Sequence, residues 1–265
     1  MPSHPPIQCE AVVHRHEEVA PRVHWLALEV GSEFPRPDPG QFVFLRVADG
    51  WDPLLRRPMG VFGFGRMGGR RVLEILYQVV GRGTRLLAAR GIGERVDVVG
   101  PLGRGFEGDH TRPRVLVAGG MGVAPLVYLF EVSGGDVFIL GCRSASEFPV
   151  DFIRERLATP IRVATEDGSR GSTGLASDLA REAGRERAWK VDVAAAGPVP
   201  MLQVLAGLCE ANGVRCQVSL EARMACGLGS CLGCVVPTRT PDVYRRACKE
   251  GPVFEAGTIR WETLP

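Results

Sequence analysis

The sequence predicts a multidomain β plus α/β protein: an N-terminal antiparallel β-barrel, a central parallel-sheet domain, and a small cysteine-bearing segment at the end. Three observations carry this. Short runs rich in β-branched and aromatic residues recur up to about residue 100. Strand-like and helix-like runs then alternate, and four of the eight cysteines fall between Cys226 and Cys248. A chain of 265 residues is long enough for two domains of ordinary size and an appendage. The expected units are 1–108, 109–219 and 220–265.

In the first unit the strand candidates are IQCEAVVHR, RVHWLALEV, QFVFLRVA, RVLEILYQVV and RVDVVG. Turn clusters at 35–40 and 65–69 separate them, a spacing that suits a small barrel or sandwich. TRLLAAR, followed by Gly91 as a stop, predicts a helical insert over 84–90. From residue 112 the rhythm changes. RVLVAGG reads as a strand entering a glycine turn, with a helix through VAPLVYLF after it. The strands VFILGCR, IRVAT, VDVAAAG and RCQVSLE alternate with the helices SEFPVDFIRERLA, GLASDLAREAG and PMLQVLAGLCEANG. Such alternation implies βαβ units and a parallel sheet, with the boundary at 108–113.

Composition narrows the function classes. Hydrophobic content of 45% with 23% charged residues is that of a soluble globular protein. A net charge of +2 gives no case for nucleic acid or an anionic membrane. The start, MPSHPPIQCE, has no charged lead into an apolar core and is not a signal peptide. The most apolar window, 115–130, is broken by Gly119, Gly120, Gly122 and Pro125 and is too short to span a bilayer. Thiols reserved for a metal fit a reducing compartment, so a cytoplasmic location is expected. Cys9, Cys142, Cys209 and Cys216 read as core fillers.

The chemistry concentrates in the last segment. Cys226, Cys231 and Cys234 form a Cys-x4-Cys-x2-Cys array, and Cys248 follows after thirteen intervening residues. This is the plant-type ligand spacing for a two-iron, two-sulfur cluster. Three thiolates must converge from one tight loop, and Gly227, Gly229, Ser230 and Gly233 are small enough to let it turn. Zinc ribbons pair two short knuckles or mix in histidine, and Cys248 has no such neighbour. A zinc-stabilised interaction protein without redox activity is the alternative of a different class.

Two stretches, 63–68 and 103–108, match Gly-x-Gly-x-x-Gly, but neither links a buried strand to the start of a helix. Both read as turn glycine. Gly119, Gly120 and Gly122, directly after RVLVA, form the better phosphate candidate, because N–H groups at the following helix's start favour an anion. Gly197 and Pro198 follow a later strand and would line the same crevice, as would the turn at 165–168. There Glu166 or Asp167 could accept from a ribose hydroxyl. In the first unit Arg57 could pair with a phosphate, and Gly83 and Thr84 could offer N–H donors. No nucleophile with a paired base is present. His4, His14, His16, His24 and His110 lie outside these sites, His14 and His16 sharing one strand face read as solvated.

The order of parts resembles the electron-transfer subunits of NAD-linked (type B) dihydroorotate dehydrogenase, a family within the ferredoxin reductase-like flavoproteins. The resemblance runs from Ile7 to Trp261 and is most specific over 220–254. It implies FAD on the barrel, held by Arg57, Pro58, Met59, Gly60, Leu76, Tyr77, Gln78, Gly83 and Thr84. It also implies NAD(H) at Gly119, Gly120, Gly122, Gly197 and Pro198, and a [2Fe-2S] cluster on Cys226, Cys231, Cys234 and Cys248. The chemistry would be the cofactors' own, with no catalytic side chain. The implied partner is an FMN-containing catalytic subunit that oxidises dihydroorotate in pyrimidine biosynthesis, in a heterotetramer. Its electrons would pass through the cluster and FAD to NAD+, and docking is expected around Leu228 and Leu232. A diaphorase-type subunit of a hydrogenase or sulfide-linked reductase is the alternative within the group. The chain departs from the family pattern at Gly60, where serine is usual, and at Met121. Ala196 stands where related flavoproteins often carry cysteine.

Overall fold

The computed structural model describes residues 5–48, 50–107 and 112–264. His4, Gly108 and His110, and with them the expected junction between the first two units, lie outside the described residues. Strands β1 (Ile7–Ala20), β2 (Val23–Glu29), β3 (Phe42–Arg46), β4 (Arg57–Met67), β5 (Arg70–Gln78) and β6 (Arg95–Leu102) form a closed barrel in the order β1-β2-β5-β4-β3-β6. Leu26, Leu28, Leu45, Leu73 and Ile75 fill its interior. Helix α1 (Arg82–Ala88) adds Leu87 to the same core.

Five of the six barrel strands match the expected apolar runs; β4 does not. Pro58, Gly60, Gly63 and Gly65 interrupt the alternation by which a strand is recognised. Gly63 and Gly65, expected in turns, are therefore strand residues, and Gly63 adjoins a register shift against β5. The reversal itself is made by Gly68 and Gly69 alone, at φ +56° and +82°. A two-residue hairpin loop needs positive φ at both centres, which glycine supplies without a Cβ clash.

The second sheet contains β7 (Arg114–Gly119), β8 (Val137–Cys142), β9 (Arg162–Thr165), β10 (Ser172–Thr173), β11 (Asp192–Ala196) and β12 (Cys216–Ser219), all parallel. Helices α2 (Val123–Ser133), α3 (Val150–Leu157), α4 (Ala176–Glu186) and α5 (Val199–Ala211) connect them. Every residue of β7 is buried, as a central parallel strand covered on both faces requires. Helix α3 starts only at Val150, later than expected. The residue before a proline is kept out of the helical region, so Phe148-Pro149 delays the first turn. The C-terminal segment forms the hairpin β13 (Val235–Pro237) and β14 (Tyr244–Arg246). It then returns β15 (Val253–Glu255) antiparallel to β12, giving the sheet order β10-β9-β8-β7-β11-β12-β15. Nothing in the local pattern of residues predicts that last strand.

Barrel and α/β unit share one hydrophobic cluster, in which Trp25 and Phe62 pack with Leu126 and Phe138. Phe152 of α3 stacks on Phe62 at 6.1 Å between ring centroids. Among the described residues no helix is long and apolar enough to cross a membrane. Tyr128 of α2 is fully buried at this junction and donates its hydroxyl to the Pro37 carbonyl at 2.9 Å. Replacing Tyr128 with Phe leaves that carbonyl unpaired, so unfolding free energy should fall by about 1–2 kcal/mol. The expected result is a lower denaturant midpoint at unchanged slope.

Candidate functional site

Strand order reverses between β7 and β11: the chain runs outward through β8 and β9 on one side, then crosses to β11 on the other. In open α/β sheets the crevice at such a point receives ligands beyond the strands' carboxyl ends. Here the two flanking loops touch. A methyl group on Gly122 would lie 2.2 Å from the Ala196 carbonyl oxygen, and one on Gly197 would lie 2.9 Å from the Gly119 Cα. Both neighbours are backbone and cannot swing aside, so the loops meet only because these residues lack a Cβ. Gly120 takes φ +51° in the single 3-10 turn that leads into α2.

A cleft of about 540 Å³ opens from this point along the ends of β8 and β9. Gly119, Gly120 and Pro198 line it, joined by Cys142, Arg143, Ser144 and Glu166. Glu166 thus faces the crevice as expected. Asp167 does not line it: its carboxylate accepts from Ser169 Oγ at 2.6 Å and Ser169 N–H at 2.9 Å, which holds its pKa down to about 2. The end of β8 carries no motif that marks it in the sequence, yet its place beside β7 brings it into the cleft. Cys142, expected as a core filler, is half-buried in this cleft, and its thiol is pushed up to about 11 by burial and by the Asp167 and Glu166 carboxylates.

A second cleft, of about 600 Å³, lies between barrel and α/β unit. Arg57, Pro58, Met59, Gly60, Leu76, Tyr77, Gln78 and Thr84 line the barrel side. Gly119, Gly120, Gly122, Gly197 and Pro198 line the other, so the two clefts share Gln78, Gly119, Gly120, Met121 and Pro198. Gly83 is set behind the wall. The Arg57 guanidinium lies across it, and a Cβ there would sit 2.1 Å from Arg57 Nε. Arg57 donates to the Leu55 carbonyl, and among the described residues it has no carboxylate partner. An arginine placed so, at the edge of a cleft, can meet a phosphate. The Thr84 hydroxyl holds the turn before α1, its Oγ1 accepting from Val80 N–H at 2.9 Å and Gly81 N–H at 3.1 Å. Gly60 has open space, the nearest atom to a methyl added there being Pro125 Cδ at 3.8 Å.

Beside this cleft sits the thiol loop. Cys226 Sγ receives N–H groups from Cys231 and Leu228, both at 3.4 Å. These donors hold its pKa down to about 6. Cys231 Sγ receives Gly233 N–H, and Cys234 Sγ receives Cys248 N–H, both at 3.5 Å. Burial, then the hydrogen bond to Cys234, pushes the Cys248 thiol up to about 12. Among the described residues no three Cys, His, Asp or Glu side chains close on one metal ion. The thiols stand instead as two adjoining pairs, Cys226 with Cys231 and Cys234 with Cys248. N–H donors on sulfur are the kind of contact that tunes the potential of an iron-sulfur centre.

The loop rests directly on the barrel. A methyl on Gly227, at φ +67°, would lie 2.2 Å from Phe44 Cε2, and Phe44 pairs across β3 and β4 with Pro58 of the cleft. One histidine expectation fails. His16 is half-buried, bonded at 2.8 Å both to Tyr77 Oη and to the Arg90 carbonyl, because β1 turns that face toward the end of the barrel.

Comparison with known proteins fits this geometry. Residues 221–260 match the family described as the iron-sulfur cluster binding domain of dihydroorotate dehydrogenase B. The electron transfer subunit of dihydroorotate dehydrogenase B (NAD(+)) from Desulforamulus reducens is 36% identical over 92% of this chain and 95% of its own. The chain belongs to that family of electron transfer subunits. The Fusobacterium nucleatum member is 38% identical over 84% of this chain and 87% of its own. A solved chain of the NADH-dependent reduced ferredoxin-NADP oxidoreductase superposes with a TM-score of 0.83 at 28% identity, covering 96% of this chain and 91% of that one. A ferredoxin reductase of carbazole 1,9a-dioxygenase shares the fold, with a TM-score of 0.65 at 20% identity over 81% of this chain and 68% of its own. FAD, a [2Fe-2S] cluster and NAD are the family's cofactors, and the two clefts and four thiols fit that set.

Gly122→Ala should force the β7 and β11 loops apart. In the FAD-loaded variant NADH should then bind at least about tenfold more weakly, as a misplaced binding group predicts. Titrating NADH against the purified, FAD-loaded variant checks this.

Proposed function

We propose that this chain carries electrons between an FMN-containing, dihydroorotate-oxidising subunit and NAD+, the two kinds of subunit forming a heterotetramer. The three working units are residues 1–108, 109–219 and 220–265. The observation that carries the proposal is the adjacency across β3: the thiol loop presses on Phe44, while the paired strand β4 presents Arg57–Gly60 to the cleft. FAD, when bound, exchanges electrons singly or in pairs and so matches a one-electron centre to a two-electron nicotinamide.

The side chains bind and orient. Arg57 would neutralise a phosphate of FAD, and Leu76, Tyr77 and Gln78 would line the cleft that holds it. Gly119, Gly120 and Gly122 would let N–H groups approach the phosphates of NAD(H), and Gly197 and Pro198 would border the same crevice. Cys226, Cys231, Cys234 and Cys248 would hold the [2Fe-2S] cluster, which would supply one-electron transfer. N–H donors on these sulfurs tune the centre's potential. Gly60 leaves any contact at its position to the backbone, and Ala196 brings no thiol to the nicotinamide.

Around the exposed Cys231 stand Leu228 and Leu232, exposed by 57% and 59%. Leu232, Val235, Val243 and Tyr244 rim a groove of about 520 Å³. Apolar side chains gathered on a surface mark a protein contact, and this one lies where electrons must enter. The structural likeness to a ferredoxin-NADP oxidoreductase chain supports a second reading, in which this is a diaphorase-type subunit of another iron-sulfur flavoprotein complex.

Coexpression with the dihydroorotate-oxidising subunit should give a yellow-brown complex that oxidises NADH only when orotate is supplied. A complex that holds FAD and iron but never couples to orotate moves the assignment to another partner, and a colourless zinc protein sinks it. Cys234→Ser should abolish the iron-sulfur absorbance and its bleaching by dithionite while leaving the flavin spectrum intact. Leu232→Glu with Tyr244→Glu should abolish orotate-dependent turnover, while NADH reduction of an artificial dye by the isolated chain persists.

A further inference from the structure

An ion-pair network, buried at its Glu74 end and open to solvent at Glu131, crosses the junction between barrel and α/β unit. Arg156, on α3, donates from Nη1 to Glu74 Oε2 at 2.6 Å and from Nη2 to Glu74 Oε1 at 2.8 Å. Its Nε also donates to Glu131 Oε1 of α2 at 2.5 Å. Glu74 belongs to β5, and its side chain is only 6% exposed. The Trp25 indole N–H donates to the same carboxylate at 2.9 Å, and the Arg156 guanidinium lies 5.1 Å from the Phe62 ring centroid. Burial works against the charge on Arg156, but hydrogen bonds to Glu74 and Glu131 outweigh it and raise its pKa.

Such a pair is poorly explained as a source of stability. Replacing a buried ion pair by apolar groups is often neutral or stabilising, whereas its fixed fork geometry selects one arrangement. The surrounding contacts, Trp25, Phe62 and Phe152, are apolar and non-directional, so they allow sliding that the bidentate pair forbids. Glu74 lies four residues before Gln78 on the same strand, and Gln78 is the barrel residue that lines both clefts. Gly63 leaves the space: a Cβ there would lie 2.6 Å from Arg156 Nη2 and 2.8 Å from Glu74 Oε1.

We infer that Arg156 is a positioning residue, pinning β5 to the α/β unit so that the two clefts meet in the alignment hydride exchange between nicotinamide and flavin needs. This rests on reading the clefts as the FAD and NAD(H) sites. Removing Arg156 alone would strand a buried carboxylate and endanger folding, so the test removes both charges together. In R156M/E74Q the new amide oxygen still accepts from Trp25.

The FAD-loaded double variant is compared with wild type for unfolding midpoint, for the rate of flavin reduction by saturating NADH, and for the long-wavelength absorbance of stacked nicotinamide and flavin. The expected result is an unfolding midpoint at or above wild type. Flavin reduction should slow about tenfold and the stacking band weaken, as a displaced reacting pair predicts. KM for NADH should stay within about twofold, since none of the residues lining the clefts is changed. Gly63→Ala, which shifts the guanidinium with both charges kept, should reproduce the slow reduction. Arg156→Lys, with Glu74 intact, should be reduced faster than the double variant. A stable double variant with wild-type rate and band overturns the inference. Should that variant not fold, an unchanged reduction rate in Gly63→Ala overturns it equally. Wild-type chain that binds FAD yet is not reduced by NADH would instead fail the two-cleft reading, and this inference with it.

Discussion

Contact between Gly227 and the Phe44 ring is the constraint on which the arrangement of sites depends. Strand β3 is short, yet it has three neighbours: β6 on one edge, β4 on the other, and the thiol loop against its outer face. Phe42 and Phe44, in an edge-to-face pair at 5.8 Å, fill that face and join one core with Cys234, Val236 and Cys248. Because side chains alternate along a strand, Val43 and Leu45 meanwhile belong to the barrel interior. One five-residue strand thereby fixes the thiol loop relative to the cleft. A residue larger than glycine at 227 would have to displace an aromatic ring and adopt a left-handed backbone at the same time.

What the sequence made legible was local. Four cysteines at a defined spacing announce their chemistry within 23 residues, from Cys226 to Cys248, and strand–helix alternation needs only a window of about a dozen. Gly119–Gly122 could be placed because a glycine turn directly after a buried strand is what lets a backbone approach a phosphate. Elements defined by distant partners were hidden. Strand β4 carries too many glycines to read as a strand, and the need for glycine at 63 comes from Arg156, far along the chain. Strand β15 is three residues long and exists because β12 offers an edge. His16 looks solvated on an alternating strand until Tyr77 and the Arg90 carbonyl are brought against it. The commitment of the Thr84 hydroxyl to its own turn is likewise invisible without coordinates.

The clefts owe their continuity to a shared wall rather than to size. Gln78 from the barrel and Gly119, Gly120, Met121 and Pro198 from the α/β unit border both. Neither unit alone makes that wall, which is why the apolar junction of Trp25, Phe62 and Phe152 matters to function as well as to folding. The same general architecture serves reductases with other partners, consistent with function residing in sites and surfaces carried by a common fold.

The return of β15 to β12 has a consequence for how the chain matures. Leu220 N–H donates to the Pro252 carbonyl at 2.9 Å, and Gln217 to Ser219 pair with Val253 to Glu255, so the stretch carrying all four thiols is tied at its base by backbone bonds that involve no sulfur. Closing that loop therefore does not fall to the thiols alone. Unlike a zinc finger, whose fold waits for its ion, this segment has strand pairing of its own at its base.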